Sequence, residues 1–458
     1  MKNTHKSLLA RVRFDCEELA ALLGIALLLF CGVRGAVRLQ SDSLIGSFLT
    51  GTQGVFAEGN PQTERIADRL GKRLAAKGIR HSQAALSNAV ATRQVLLKRK
   101  TDVQIRHGDG TQESWQMSVA AEPLLVRPVF SQKEAAFELD AERIRQMLQE
   151  RVGELVPPVD ARITGVEERD GFLRITTDGV AKEGDVLDEA AANDILFNAL
   201  QDGTEHASLI VQRVSGQLIN ETERDLGQLM LLGTGRSNFA GSTWARSQNV
   251  RKALREHVNN TLVTSGATFS FNQTLERPVT TGNGWYMAKV IVNGVDLVMA
   301  PGGGICQAST TVFRAMTNAG FTAEERKAHS LYVTYYEEYG VGIDATVFPG
   351  AQDLTFVNDT GNYLIVQAYD DGYDAVVNIY GTSDGRRVKL EGPFFSGSAP
   401  EQILQGQKKL SSNDIAWLQG IEYADGSRKE NLILSRYRAI PRSLPQKYLL
   451  HAGAGEES

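Results

Sequence analysis

Apolar residues along this chain recur with helical spacing in some stretches and at alternate positions in several short runs between them. Residues 64–95 carry a helical pattern, with Ile66, Leu70, Leu74 and Ile79 on one side. Residues 94–97, 103–106 and 115–119 read as strands, the last two joined by a turn at His107-Gly108-Asp109-Gly110. A second unit starts near Phe137. Asp140 is placed to cap a helix bearing Ile144, Met147, Leu148 and Val152, which Pro157-Pro158 would stop. Strands at 159–166 and 172–176 flank Asp170-Gly171, Asp188 caps a helix running to Leu200, and 207–214 returns as a strand. A third region begins with a helix at 247–260 and strands at 268–271 and 287–292, the latter ending on the hairpin signal Asn293-Gly294. Next come a triple-glycine loop, a helix at 307–318 stopped by Gly320, and β-rich runs at 330–335, 342–348, 353–357, 363–369 and 375–380. Two last strands, 417–423 and 431–440, surround Asp425-Gly426.

This mixture of helical and alternating segments predicts an α+β fold class. The expected organisation is α+β units at 61–130 and 131–231, an α+β domain with a β-rich C-terminal half at 232–385, a small β segment at 386–445, and a disordered tail at 446–458.

Ahead of these units, Leu19 to Val33 is free of charge and follows Lys2, Lys6, Arg11 and Arg13. The run is shorter than the ~20 residues of a full bilayer span. Extended to residue 37, and with no convincing cleavage site behind it, it reads as an N-terminal membrane helix at 19–37. The positive flank places residues 1–18 in the cytoplasm and the body of the protein outside the membrane, joined through a Gly/Ser/Thr-rich linker at 38–60. The expected location is therefore the cell membrane, single-pass, with the main body extracytoplasmic.

Charge and cysteine content narrow the function. A net charge of −5, with no basic stripe, argues against a nucleic-acid partner. With three cysteines, two of them in the N-terminal segment, an exported body must stand on its own core rather than on disulfides. No cysteine pair or His-x-x-x-His spacing suggests a metal, and no cofactor motif is present: Gly302-Gly303-Gly304 lacks the Lys-Ser/Thr of a phosphate loop.

That glycine loop runs straight into Ile305-Cys306-Gln307. Glycines let a backbone turn sharply and approach closely. A cysteine at a helix start sits where the dipole and free amides favour a thiolate. His329 and Asp344 follow in the order that a thiol nucleophile, its base and the group orienting that base require. Cys306, His329 and Asp344 are thus candidate catalytic residues, with the amides after the glycines as candidate oxyanion donors. The opposing reading makes Cys306 buried filler, His329 a backbone partner and Asp344 a loop anchor. Gly303, Gly304 and Gln307 are candidate binding residues beside the thiol. Arg326 and Arg314 are candidate clamps for a carboxylate or phosphate, or else surface salt-bridge partners.

At these residues the chain resembles the VanW family, named from a component of some vancomycin-resistance gene clusters. The resemblance is carried by Ala267-Thr268-Phe269-Ser270-Phe271-Asn272, by Gly302 to Gln307 with Ala308-Ser309-Thr310-Thr311, by Glu325-Arg326 with His329-Ser330, by Gly342-Ile343-Asp344-Ala345-Thr346-Val347, and by Asp353-Leu354-Thr355-Phe356-Val357-Asn358. Two departures stand beside it: Ser265-Gly266-Ala267 replaces a usual Pro-Gly-Glu, and Leu275-Glu276-Arg277-Pro278 replaces a loop that normally holds glycine. Residues 131–231 are similar by pattern to the peptidoglycan-binding domains that commonly precede a VanW domain, and 386–445 to a degenerate G5-like module. The resemblance implies a membrane-anchored cell-envelope protein that binds, maintains or remodels peptidoglycan, linked to glycopeptide resistance, with peptidoglycan or its stem peptide as partner. It supplies no mechanism. A second similarity, in the order of Gly-x-Cys, histidine and aspartate, is to transglutaminase-like enzymes. It implies the alternative function, a cysteine-dependent hydrolase or acyltransferase acting on cell-wall amide bonds.

Overall fold

The computed structural model describes residues 60–108, 110–169, 172–292, 296–396 and 410–440. The expected membrane helix, its cytoplasmic flank, most of the linker and the C-terminal tail lie outside these residues. Among the described residues, no helix is long and apolar enough to cross a membrane. Within them the chain is α+β, with a sheet-rich C-terminal half.

The chain divides into two compact units, one containing residues up to 92 together with 129–137, the other 93–128 and 138 onward. In the first, the pattern over 64–95 resolves into two helices, Pro61–Ala75 and Gln83–Leu96. Asn60 caps the first by accepting from Gln62 N at 3.0 Å, and Gly78, at φ 79°, lies in the break. Ala67, Leu74, Leu86 and Val90 form the core, and Ile66, expected inside, is exposed. Of the run 94–97, read as a strand, residues 94–96 instead complete the second helix and Leu97 lies in the turn after it, with Val95 exposed.

The second unit opens with the expected hairpin, Lys100–His107 against Gln112–Ser118. Its first strand also pairs in parallel with His206–Val214. Asp140 and Asp188 cap Ala141–Val152 and Glu189–Asp202 as their positions foretold. The main sheet has seven strands, in the order Met230–Asn238, Asp374–Gly381, Leu364–Asp371, Thr261–Val263, Phe172–Thr177, Ala161–Arg169, Leu218–Asn220. Residues from 131–231 and from 232–385 therefore share one sheet.

The helix Ile305–Asn318 packs on the edge of this sheet formed by Met230–Asn238. Gly233 and Gly235 permit the approach: a Cβ on Gly235 would lie 2.1 Å from Thr311 O, and one on Gly233 2.4 Å from Ala319 N. The helix is rich in threonine, a poor intrinsic helix former, and is buried on nearly every side, so tertiary packing holds it. Val312, Phe313 and Met316 join Phe239, Phe269, Phe356 and Val366 in the principal core. The C-terminal strands Arg387–Phe395, Asp414–Glu422 and Arg428–Arg436 form a separate antiparallel sheet. Gln419 from that sheet donates to Thr317 O at 2.8 Å and Phe321 O at 3.1 Å, satisfying a carbonyl at the helix end.

Two β-runs are corrected. In the run 330–335, residues 330–333 are irregular and the rest begin a 3-10 helix, Thr334–Tyr339. Residues 342–348 form no strand: Ile343, Asp344 and Ala345 are consecutively buried, without alternation. Their polar partners are side chains of the cysteine helix. Ser309 Oγ donates to Ala345 O at 2.7 Å, and Ala345 N donates to Thr310 Oγ1 at 3.1 Å.

Candidate functional site

Gly304, at φ 118°, precedes the first helical residue, and Cys306 is the second residue of the helix. A Cβ on Gly303 would fall 2.7 Å from Lys289 O, so this glycine allows the neighbouring hairpin strand, Met287–Val292, to press against the loop. The Cys306 side chain is half-buried. Val347 N donates to Sγ at 3.5 Å, and the Thr346 hydroxyl lies at the same distance. The sulfur thus rests against the irregular segment that also carries Asp344.

The structure brings Cys306, His329 and Asp344 together. His329 is buried, and its Nδ1 lies 2.5 Å from Asp344 Oδ2. The same carboxylate oxygen accepts the His329 backbone N–H at 2.8 Å, which fixes the ring's rotation. With Nδ1 held by the carboxylate, Nε2 is the nitrogen left to face the thiol, and Cys306 and the imidazole lie close enough to shift each other's ionisation.

Electrostatics follow this chain of contacts. Burial pushes the Cys306 thiol up, but the imidazole hydrogen bond and charge, with Val347 N–H and Thr346, outweigh it and hold the thiol below its usual range. Burial opposes charge on His329 as well, yet the Asp344 carboxylate and Cys306 raise it to about 10. Burial would raise Asp344, but His329, Arg326 and Tyr437 bring it down to about 2. All three directions favour a thiolate, an imidazolium and a carboxylate in a row.

These shifts set the pH dependence of stability. Asp344 lies below the unfolded value of ~3.9, so its contribution is present above about pH 4 and lost as pH falls toward 2. His329 lies above ~6.5, so its contribution is complete below that pH and lost as pH rises through 10. Thermal unfolding followed by circular dichroism is expected to show a higher midpoint at pH 5.5 than at pH 3 or 10. A midpoint that keeps rising from pH 5.5 to 10 would contradict the assignment.

Residues far along the chain complete the cluster. The Tyr437 hydroxyl donates to Asp344 Oδ1, the second carboxylate oxygen. Ser435 Oγ donates to Gly342 O at 2.6 Å, and Trp417 Nε1 to Val341 O at 2.7 Å. The C-terminal sheet therefore clamps the segment that carries the aspartate. Sequence reasoning missed Tyr437, Trp417 and Ser435. No local motif marks them, because their role comes from docking one sheet beside another element.

The candidate clamps are placed differently from expectation. Arg326 is internal: Nε donates to Asp344 O at 2.8 Å, Nη1 to Leu434 O at 2.9 Å and Nη2 to Ser435 Oγ at 2.6 Å. Arg314 is buried, with its guanidinium donating to the carbonyls of Ile343, Arg236, Tyr336 and Gly340. Both arginines supply the donors that irregular buried backbone needs, which is why neither is at the surface. Gln307 is fully buried and donates to Asn238 O at 2.8 Å and Ser237 Oγ at 3.2 Å, so it ties the helix to the sheet. The amides of Ile305 and Gln307 already donate to Gly302 O and Gly304 O, and neither is free for an oxyanion.

A cavity of about 710 Å³ lies elsewhere in this unit, lined by Arg174, Lys252, His257, Glu276 and Trp285 among others, and does not include the thiol. Among the described residues, no three His, Cys, Asp or Glu side chains are placed to share a metal ion.

A family model described as VanW like protein matches residues 245–380, which include the glycine loop, Cys306, His329 and Asp344. Over these residues the chain is similar to the VanW family. It is similar to the uncharacterized protein YoaR of Bacillus subtilis (strain 168), 34% identical over 149 residues. That alignment takes in 32% of this chain and 47% of the relative, so the match spans about half of the relative's length. No solved structure matches the chain significantly. Tyr437, Ser435 and Trp417 fall outside the VanW-like match, so the C-terminal sheet contributes contacts to the site that the family model does not cover.

Proposed function

We propose that this is a cell-envelope protein, anchored through its N-terminal helix, whose VanW-like domain acts on amide bonds of peptidoglycan as a cysteine-dependent hydrolase or acyltransferase. The observation that carries the reading is the hydrogen-bonded His329–Asp344 pair set within electrostatic reach of the half-buried Cys306. Such an arrangement supplies a charged nucleophile, a proton carrier and a fixed orientation for the carrier. In this reading the Cys306 thiolate attacks an amide carbonyl and forms an acyl-sulfur bond. The His329 imidazolium gives its proton to the departing amine. Its neutral form then takes a proton from water, or from an acceptor amine, which attacks the acyl carbon and releases the thiolate.

The cell-wall part of the reading rests on the VanW resemblance, and the extracytoplasmic placement on the N-terminal charge pattern. A wall-binding role without catalysis is the competing account. Incubating peptidoglycan fragments with the intact protein and with Cys306→Ser, followed by mass analysis of products, separates the two. Turnover by the native protein that falls at least about a hundredfold in the serine variant supports the thiol mechanism. Equal turnover by both removes it, and fragment binding without turnover by either favours adhesion.

A further inference from the structure

Arg246 stands beside the glycine loop with no acidic partner. It lies on the helix Trp244–Lys252, and its Cγ would be 3.2 Å from a Cβ placed on Gly304, two residues before the cysteine. Two contacts fix the guanidinium. Nη1 donates to Ser242 Oγ at 2.7 Å, and Nη2 donates to Tyr335 OH at 3.0 Å, while Cζ sits 4.7 Å from the Tyr335 ring centre. Among the described residues, no carboxylate comes within ion-pairing distance of it. Arg326 and Arg314 differ from it in spending their donors on the protein's own buried carbonyls.

A run of aromatic rings leads from Arg246 to the histidine of the cluster. Tyr335 meets Tyr336 edge to face at 4.8 Å, and the Tyr336 ring lies 5.7 Å from that of His329. The Tyr336 phenol is within electrostatic reach of both Arg246 and Cys306. Tyr335 is 46% exposed, and Trp244, on the same helix as Arg246, is 64% exposed and packs at 4.7 Å against the exposed Tyr286. A preorganised, half-solvated guanidinium with uncommitted N–H groups, set among exposed rings, is a receptor for a planar anion.

We propose that Arg246 forms a carboxylate-recognition subsite beside Cys306, so that the domain takes peptide substrates carrying a free carboxylate close to the attacked amide. This inference rests on the thiol mechanism above and names the class of substrate for it. Arg246 is here a binding residue that neither attacks nor transfers a proton.

Alkylation by a pair of small reagents tests the subsite without knowledge of the natural substrate. Iodoacetate and iodoacetamide are similar in size and attack the same thiolate, and only the first carries a carboxylate. Rates at Cys306 are measured in the full chain bearing Cys16→Ser and Cys31→Ser, and the iodoacetate-to-iodoacetamide ratio is compared with that of a free thiol. Any change in the thiol's own ionisation cancels in the ratio. The ratio is expected to exceed the free-thiol value and to fall by about threefold to tenfold in Arg246→Gln, with part of it retained in Arg246→Lys. A ratio unaltered in Arg246→Gln overturns the subsite and leaves the thiolate standing. Failure of both reagents to label Cys306 faster than a free thiol removes the nucleophile, and the subsite with it.

Discussion

Asp344→Ala is expected to destabilise the protein by about 3–5 kcal/mol, the usual cost of leaving buried charge without its partner. The aspartate is 2% exposed and accepts from His329 N, His329 Nδ1 and the Tyr437 hydroxyl. Arg326 lies 3.7 Å from its other oxygen and stays charged. Alanine would strand three donors and a guanidinium in an interior that water does not reach. Asparagine is milder in shape, since its amide can still accept from His329 while the Tyr437 hydroxyl turns to accept from it. The charge is lost all the same, and the imidazolium loses its main support. Denaturant unfolding should place Asp344→Asn between the native protein and Asp344→Ala. Unfolding midpoints for both variants within error of the native one would show that the cluster is not formed.

His329→Asn is expected to slow alkylation of Cys306 at pH 6 by tenfold or more. The imidazole hydrogen bond and charge hold the thiol below its ordinary range against burial, which acts in the opposite direction. With the ring removed, burial remains, opposed only by Val347 N–H and Thr346 at 3.5 Å. The thiol should then move upward, and below its midpoint each tenfold gain in proton affinity costs about tenfold in thiolate fraction. The comparison belongs well below the unfolding temperature, because Asp344 also loses its closest partner. An unchanged rate would mean that His329 does not set the ionisation of the sulfur.

Sequence pattern disclosed much of this architecture and of the site. Asp140 and Asp188 were legible as caps because an N-cap signal is local: a side-chain oxygen reaches amides two or three residues ahead. The glycine loop and the cysteine at a helix start were legible for the same reason. The order of Cys306, His329 and Asp344 was visible in the sequence, but their contact was not, since spacing says nothing of how an irregular segment runs. Residues 342–348 alternate like a strand in sequence, yet the backbone of Ala345 is satisfied by Ser309 and Thr310 on a helix, and the carbonyls of Gly342, Ile343 and Asp344 by side chains. In residues 94–97 only Val95 is a strand former; Gln94, Leu96 and Leu97 favour helix, and the helix ends with Leu96 buried and Val95 exposed. Arg326, Arg314 and Gln307 looked like ligand contacts because their side chains are polar. The fold instead uses them against its own buried carbonyls. Tyr437 reaches Asp344 from 93 positions away, a distance over which no motif operates.

The central claim is that Cys306 is a thiolate paired with the His329 imidazolium in the resting protein. Its most direct test is the pH dependence of Cys306 alkylation by iodoacetamide in the intact chain bearing Cys16→Ser and Cys31→Ser, from pH 4 to 10. A rate that rises to its plateau with a midpoint below ~8.5, the value of an ordinary thiol, is the predicted result. A midpoint at or above that value would contradict the pair and the mechanism built on it.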